Sequence, residues 1–277
     1  MNRRHFILAA AALGLGAAAP PAGPLAAPFR PTRFSVELRG RGPDVILIPG
    51  LTASRDVWRA TADATPGYRF HLVQVSGFAG EPARGNRNGA MLPGLAEELA
   101  RYIVDRRLER PAIVGHSMGG TLAMMIASRH PMLAGRIMVV DMLPQPAALF
   151  GGSAAGWAPL ADLLGTQGGQ RLFSSFMGAF SPPDTSNRRS DPEVVARATR
   201  ELMRADTTSA LPRIRVPMTV VYAVPDRQAE AAIDRQFAGA YASARGARLV
   251  RIGNSGHMVM LDQPARFRAA VREFLAR

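Results

Sequence analysis

The sequence predicts an α/β fold in which a mostly parallel sheet carries helices on both faces. Short, almost wholly apolar runs alternate with longer segments of helical periodicity, which is the pattern of buried strands joined by crossover helices. The chain has 277 residues, enough for one large domain with an insertion. Its hydrophobic content of 47% is that of a globular protein.

Seven segments have the pattern of strands. The first alternates apolar and polar residues as an edge strand does, and the second is a continuous apolar run, as in a strand buried on both faces. The predicted strands are 34–38, 44–48, 70–75, 111–114, 136–140, 218–223 and 247–252. Apolar residues at helical spacing predict helices at 55–62, 95–106, 121–128, 228–242 and 267–275.

The alternation stops after residue 141. Glycines, prolines and apolar-aromatic patches follow up to Pro212, with no strand pattern. We therefore predict a helical lid at 142–208, inserted into a core formed by 29–141 and 209–277.

The first residues have the layout of an export signal. A basic start with Arg3 and Arg4 precedes an apolar run of small residues, 7–19, and a Pro/Ala spacer. Paired arginines indicate the twin-arginine type, and the run is too short to span a bilayer. We predict that 1–28 directs a bacterial protein to the periplasm or outside the cell. Cleavage near Ala26 or Ala27, cleavage at Ala19, and an uncleaved anchoring segment remain open.

Charge and composition exclude several classes of protein. The net charge is +13 and every basic residue is arginine, but the arginines are scattered without a long run or interleaved aromatics, which argues against nucleic-acid binding. There is no cysteine, and the five histidines show no metal-like spacing. We expect no metal, no cofactor and no stable membrane insertion. The oligomeric state stays open.

The most informative stretch is Gly115-His116-Ser117-Met118-Gly119, between an apolar strand and an apolar helix. A G-x-S-x-G turn from strand to helix holds its serine in a strained conformation, and the glycines avoid collisions that side chains would cause. Ser117 is thus a candidate nucleophile, with the N-terminus of the next helix beneath it.

A nucleophilic serine needs a base, and the base needs an acid to orient it. His257 is left as the base after His71 is assigned to a strand and His130 to a helix end, and His116 is expected to project away from Ser117. His257 lies in a loop after the last strand, at the edge where such sheets place functional groups. Two aspartates compete for the acid, Asp226 and Asp141, since both follow strands ending at that edge. We favour Asp226, because its strand neighbours the one that leads to His257. Asp262 is expected to cap the last helix.

Donors for an oxyanion should flank Ser117. One is the N–H of Met118. The other belongs to the loop after the second strand, a tight turn that contains Gly50, where Leu51 offers an N–H; Pro49 has none. Gly50, Leu51 and Met118 are thus expected to shape the oxyanion hole.

With these residues in the order Ser117, Asp226, His257, the sequence resembles the α/β-hydrolase family. The resemblance rests on the serine turn, on Ile48-Pro49-Gly50-Leu51, on Asp226, and on Ser255-Gly256-His257 followed by Gln263-Pro264. The family usually has His-Gly where this chain has Pro49-Gly50. The resemblance implies eight strands with the lid after the sixth.

The expected protein is a serine hydrolase that cleaves an ester of a small molecule through an acyl-enzyme. A lactonase, a thioesterase, a small aminopeptidase and a non-catalytic hydrolase-like binding protein remain as alternatives.

Overall fold

Seven strands form one sheet in the computed structural model, which describes residues 29–150 and 186–277. Their order is β1-β3-β2-β4-β5-β6-β7. The strands are β1 (Phe34–Gly40), β2 (Asp44–Ile48), β3 (Arg69–Val75), β4 (Ala112–His116), β5 (Arg136–Val140), β6 (Met218–Val224) and β7 (Arg248–Gly253). β1 runs antiparallel to β3, and the other pairs are parallel. The predicted α/β class is confirmed.

Helices cover both faces of this sheet. They are α1 (Arg59–Asp63), α2 (Met91–Asp105), α3 (Met118–Arg129), α4 (Ser186–Arg189), α5 (Pro192–Arg204), α6 (Arg227–Ala240), α7 (Val259–Asp262) and α8 (Pro264–Ala276). Short 3₁₀ turns lie at Arg55–Trp58, Arg84–Arg87, Pro146–Phe150 and Thr208–Arg213. One apolar cluster includes Leu122 and Phe237, and a second, on the other face, is built around Trp58 and Phe267. None of the described helices is long and apolar enough to cross a membrane.

The strand count differs from the family resemblance. Seven strands are described rather than eight, and the insertion follows β5, the fifth of them. Residues 29–33, the described residues before β1, contain no further strand. The predictions for 1–28 and for most of the lid concern residues outside the described ranges, so the proposed domain limits remain predictions.

Helix α5, in the last part of the predicted lid, is hydrogen-bonded to the start of α2. Helix α2 begins at Met91, four residues before the predicted start, although Pro93 and Gly94 lie in its first turn. Proline is tolerated there because the first N–H groups of a helix have no intrahelical partner. The Glu201 carboxylate of α5 accepts the N–H groups of Met91 and Leu92 at 2.8–2.9 Å. A residue of the predicted lid thus caps α2.

The strand registers create two distinct edges. Each parallel strand ends at one edge, the carboxyl edge, where His116 is level with Val140 and Val224 with Gly253. Each parallel strand begins at the opposite edge, the amino edge, where Asp44 is level with Arg69 and Ala112 with Arg136. Residues that follow β4, β5, β6 and β7 therefore gather at the carboxyl edge.

Candidate active site

Ser117 occupies the turn between β4 and α3. Its backbone has φ 53° and ψ −122°, a conformation that residues other than glycine rarely adopt. Only 8% of Ser117 is exposed. Its N–H donates to the carbonyl of Val140 at 2.9 Å, which ties the turn to the end of β5. The strained serine turn predicted from the sequence is present.

The flanking glycines are required by direct backbone contact. A Cβ on Gly115 would lie 2.0 Å from the carbonyl oxygen of Gly119. A Cβ on Gly119 would lie 2.2 Å from the carbonyl oxygen of Ile48. No side chain fits at such distances, so the predicted reason for these two glycines is confirmed.

The loop after β2 lies against the serine turn. A Cβ on Gly50 would be 3.1 Å from Cβ of Ser117 and 3.0 Å from Nδ1 of His116, so a glycine allows this approach. Leu51 follows, buried, and Met118 is the first residue of α3, where N–H groups have no intrahelical partner. Both predicted donor segments therefore adjoin Ser117.

His257 and Asp141 are in direct contact. Nδ1 of His257 lies 2.7 Å from Oδ2 of Asp141, and their side chains are only 12% and 9% exposed. The other carboxylate oxygen of Asp141 accepts the N–H of Ala223 at 2.8 Å. Both oxygens of this buried carboxylate are therefore bound, and the imidazole is oriented by one of them.

Asp226, the acid that we favoured from the sequence, is engaged elsewhere. It is exposed, and its carboxylate caps α6 by accepting the N–H groups of Gln228 and Ala229 at 2.8 and 2.9 Å. The expectation that Asp226 orients His257 is therefore corrected in favour of Asp141. Two sequence signals pointed this way: Asp226 opens a helical segment, as N-caps do, whereas Asp141 sits among apolar residues, where a charge needs a partner.

His116 links the serine turn to the His257 loop. Its Nε2 donates to the carbonyl oxygen of His257 at 2.9 Å, and the two rings are 4.6 Å apart. Because a carbonyl only accepts, His116 carries its proton on Nε2. Its buried Nδ1, which faces Gly50, has no hydrogen-bond partner among the described residues. Burial and the neighbouring His257 place the pKa of His116 well below 6.5, so the ring is neutral.

Two residues brace the His257 loop from α7 and the start of α8. The Asp262 carboxylate accepts the N–H of Gly256 at 2.8 Å, and the Gln263 amide donates to the carbonyl of Asn254 at 2.6 Å. The prediction that Asp262 caps α8 is wrong, since its carboxylate turns back onto the loop. Sequence reasoning missed this support.

The other histidines behave as expected. His71 is buried between the Tyr102 hydroxyl and the Asp44 carboxylate, both at 2.8 Å, and burial lowers its pKa. His130 ends α3 and contacts Glu97 at 2.8 Å. Neither belongs to the site around Ser117.

A cavity of about 480 Å³ lies away from this site. It is lined by Met125 and Arg129 near the end of α3 and by residues of α5 and the following segment. Ser117 is at the opposite end of α3, about 12 Å from Met125 and about 18 Å from Arg129 along the helix. We therefore do not assign this cavity to the reaction.

With this geometry established, comparison with known proteins identifies the family. The sequence pattern that defines the Alpha/beta hydrolase family matches residues 45–270. The chain belongs to this family.

One relative of known activity and two solved structures illustrate the similarity. A pimeloyl-[acyl-carrier protein] methyl ester esterase of Aeromonas hydrophila is 38% identical over 98 residues, which are 35% of this chain and 37% of that protein. The chain thus matches little more than a third of that relative's length. Among solved structures, the enol-lactonase from Burkholderia xenovorans has a TM-score of 0.72 at 20% identity, covering 88% of this chain and 96% of that one. The esterase from Exiguobacterium antarcticum also has a TM-score of 0.72, at 18% identity over 88% and 96%. Both structures support the fold.

Proposed function

We propose that the protein is a serine hydrolase that cleaves a carboxylic ester of a small molecule, with Ser117, His257 and Asp141 as its catalytic triad. The observation that carries the proposal is the 2.7 Å contact between His257 and Asp141, in a loop that is hydrogen-bonded to His116, the residue before a serine in a strained turn. A serine hydroxyl becomes a useful nucleophile only when such an oriented imidazole takes its proton.

Each residue then has one role. Asp141 accepts the Nδ1–H of His257, which leaves Nε2 unprotonated and able to remove the proton of the Ser117 hydroxyl. The oxygen of Ser117 attacks the ester carbonyl, and the carbonyl oxygen becomes negatively charged. The N–H groups of Leu51 and Met118 stabilise this charge, helped by the N-terminus of α3.

The tetrahedral intermediate collapses when the alcohol leaves with a proton from His257. Water, activated by the same imidazole, then hydrolyses the acyl-enzyme and regenerates Ser117. His116 is a positioning residue in this scheme, because its hydrogen bond to the carbonyl of His257 connects the loop of the base to the residue before Ser117.

The preference for an ester rests on the relatives. A methyl ester esterase matches 98 residues of this chain at 38% identity. A lactone, a thioester or an aminoacyl amide would react by the same steps, so the leaving group is the point that experiment must decide.

An activity-based label tests the proposal directly. Wild-type protein should react with a fluorophosphonate, and Ser117→Ala should abolish this labelling while retaining the melting temperature. Ser128→Ala, in the same helix but at its far end, is the matched control and should label fully. A hydrolase-like binding protein would not label in either form.

A substrate panel then identifies the leaving group. p-Nitrophenyl esters of graded acyl length, lactones, thioesters and aminoacyl anilides should be compared by kcat/KM on purified protein. Fastest turnover of esters supports the proposal, and fastest turnover of another class would replace it with the corresponding hydrolase.

We further propose that 1–28 is a twin-arginine export signal that delivers the folded protein to the bacterial periplasm. The support is the order of basic start, apolar run and Pro/Ala spacer in the sequence. Arg3→Lys with Arg4→Lys should retain the protein in the cytoplasm on fractionation, and mass spectrometry of the exported form should show a start near residue 27. Export that is unaffected by the double substitution would exclude the twin-arginine route.

A further inference from the structure

The two edges of the sheet differ sharply in charge. The segments that enter strands at the amino edge, with the first residue of each strand, are 41–44, 64–69, 106–112, 130–136, 214–218 and 241–248. They carry nine arginines and two acidic residues. The arginines are Arg41, Arg69, Arg106, Arg107, Arg110, Arg136, Arg215, Arg245 and Arg248, and the acids are Asp44 and Glu109. We call this surface the arginine edge.

The carboxyl edge has no such excess. The segments that leave strands there are 49–54, 76–90, 117, 141–145, 225–226 and 254–258, and they hold two arginines and three acidic residues. A general preference for arginine over lysine explains the residue type, but it does not explain why the charges gather at one edge. Arginines that are scattered along the sequence thus converge in the fold.

Side chains of the arginine edge share one depression. A cavity of about 640 Å³ is lined by four arginines and two acidic residues, namely Arg69, Arg107, Arg110 and Arg136 with Asp44 and Glu109. Arg69 is paired with Asp44, whereas Arg107 and Arg110 project from the turn before β4 and are exposed. The four arginines outnumber the two carboxylates of the lining, so the local charge is positive.

Large apolar side chains also project at this edge. Val104 in the last turn of α2 is 61% exposed, and Met132 in the segment before β5 is 75% exposed. Leu38, which is 59% exposed, pairs with His71 near the start of β3. Exposed apolar groups among cations are typical of proteins that bind the surface of an anionic membrane.

The N-terminal leader joins the chain at the same place. The N–H of Phe29, the first described residue, donates to the Asp105 carboxylate at 3.2 Å, and the Arg101 guanidinium lies 4.3 Å from the centre of its ring. Asp105 ends α2 and immediately precedes Arg106. The apolar, basic leader of the sequence is therefore connected to the arginine edge.

We propose that the arginine edge docks on an anionic phospholipid surface. The phosphate groups would contact the guanidinium groups, which bind phosphate through paired donors, while Val104 and Met132 would enter the interfacial region. Nucleic acid is the poorer fit, because its unpaired bases bind to stacked aromatic rings rather than to protruding aliphatic side chains. Ser117, at the opposite edge, would then face the aqueous phase rather than the bilayer.

Vesicle flotation of the chain from residue 29 to 277 tests the proposal without the leader. Binding should be strong to vesicles with about 30 mol% phosphatidylglycerol in phosphatidylcholine, and absent with phosphatidylcholine alone. It should also be lost in about 0.5 M NaCl, where charges are screened within a few ångströms. Equal binding to both vesicle types, or no binding to either, would overturn the proposal.

Matched triple variants locate the surface. Arg106→Glu, Arg107→Glu and Arg110→Glu together should weaken partitioning by at least about 100-fold, since each cation near an anionic surface contributes about fivefold. Arg227→Glu, Arg235→Glu and Arg266→Glu change the net charge equally but lie on α6 and α8, and this variant should retain most of the binding. A variant with Gln at the same three positions removes the positive charges without adding negative ones. Its rate of hydrolysis of a soluble ester checks that it is folded.

A tryptophan reporter tests insertion of the apolar groups. The fluorescence of Met132→Trp should shift to the blue on phosphatidylglycerol vesicles, whereas Leu261→Trp, exposed at the carboxyl edge, should not shift. A shift of the second reporter alone would place the contact at the wrong edge. Tight binding to single-stranded oligonucleotides, with none to vesicles, would make the surface a nucleic-acid site and also reject the proposal.

Discussion

Replacing Asp141 by Asn separates the two candidate acids. Asn would keep the oxygen that accepts the N–H of Ala223, so the fold at this point should survive. Its NH₂ group would face Nδ1 of His257 across the present 2.7 Å contact. Because an amide NH₂ only donates, His257 would move its proton to Nε2 and could no longer accept the proton of Ser117.

The expected loss in kcat is about 10⁴-fold, the size seen when the triad acid of a serine protease is made an amide. KM and the melting temperature should change little. Asp226→Asn is the matched control, because Asn caps a helix about as well as Asp, and its kcat should stay within about twofold of wild type.

The assay is steady-state hydrolysis of a short p-nitrophenyl ester, with active sites counted by fluorophosphonate labelling. A large loss of kcat in Asp226→Asn together with a small one in Asp141→Asn would refute the assignment. Similar losses in both variants, with unchanged melting temperatures, would contradict the view that Asp226 is only a helix cap.

Three further results are expected. Glu201→Ala should lower the free energy of unfolding by about 1–2 kcal/mol in urea titrations, because α2 loses the carboxylate that caps it, while an unchanged value would show that this contact between α5 and α2 does not stabilise the fold. Gly50→Ala should reduce kcat at least about tenfold with KM nearly unchanged, since the added methyl group pushes the donor loop away from Ser117; wild-type kinetics would contradict this. The neutral, buried His116 stabilises the fold above about pH 6.5 and this contribution is lost as the pH falls, because the unfolded state then binds a proton that the folded state does not. Between pH 6 and 5, His116 should make the unfolding free energy of the wild type fall by up to about 1.4 kcal/mol per pH unit, and His116→Gln should lack this part of the decrease. Identical pH dependence of the two proteins would count against a low pKa of His116.

The sequence was sufficient for the elements with strong local signals. Apolar runs located β2, β4, β5 and β6. The two glycines around Ser117 identified the turn, because the close backbone contacts at these positions exclude every residue with a side chain.

Contacts between distant segments were not readable in the same way. Asp141 and Asp226 follow neighbouring strands, and only the direction of each side chain decides which one reaches His257. That direction depends on the backbone of Asp141, with φ 50°, which no local pattern specified. The cap of α2 by Glu201, 109 to 110 positions away, was hidden for the same reason.

The crowding around the serine turn has a consequence for laboratory evolution. A side chain at Gly115 or Gly119 would overlap a backbone oxygen at about 2 Å, and one at Gly50 would press on Ser117. Saturation libraries at these three positions should therefore return almost only the parental codon. Variation that changes which compounds the protein accepts has to come from elsewhere, so selection experiments will gain most by leaving this turn untouched.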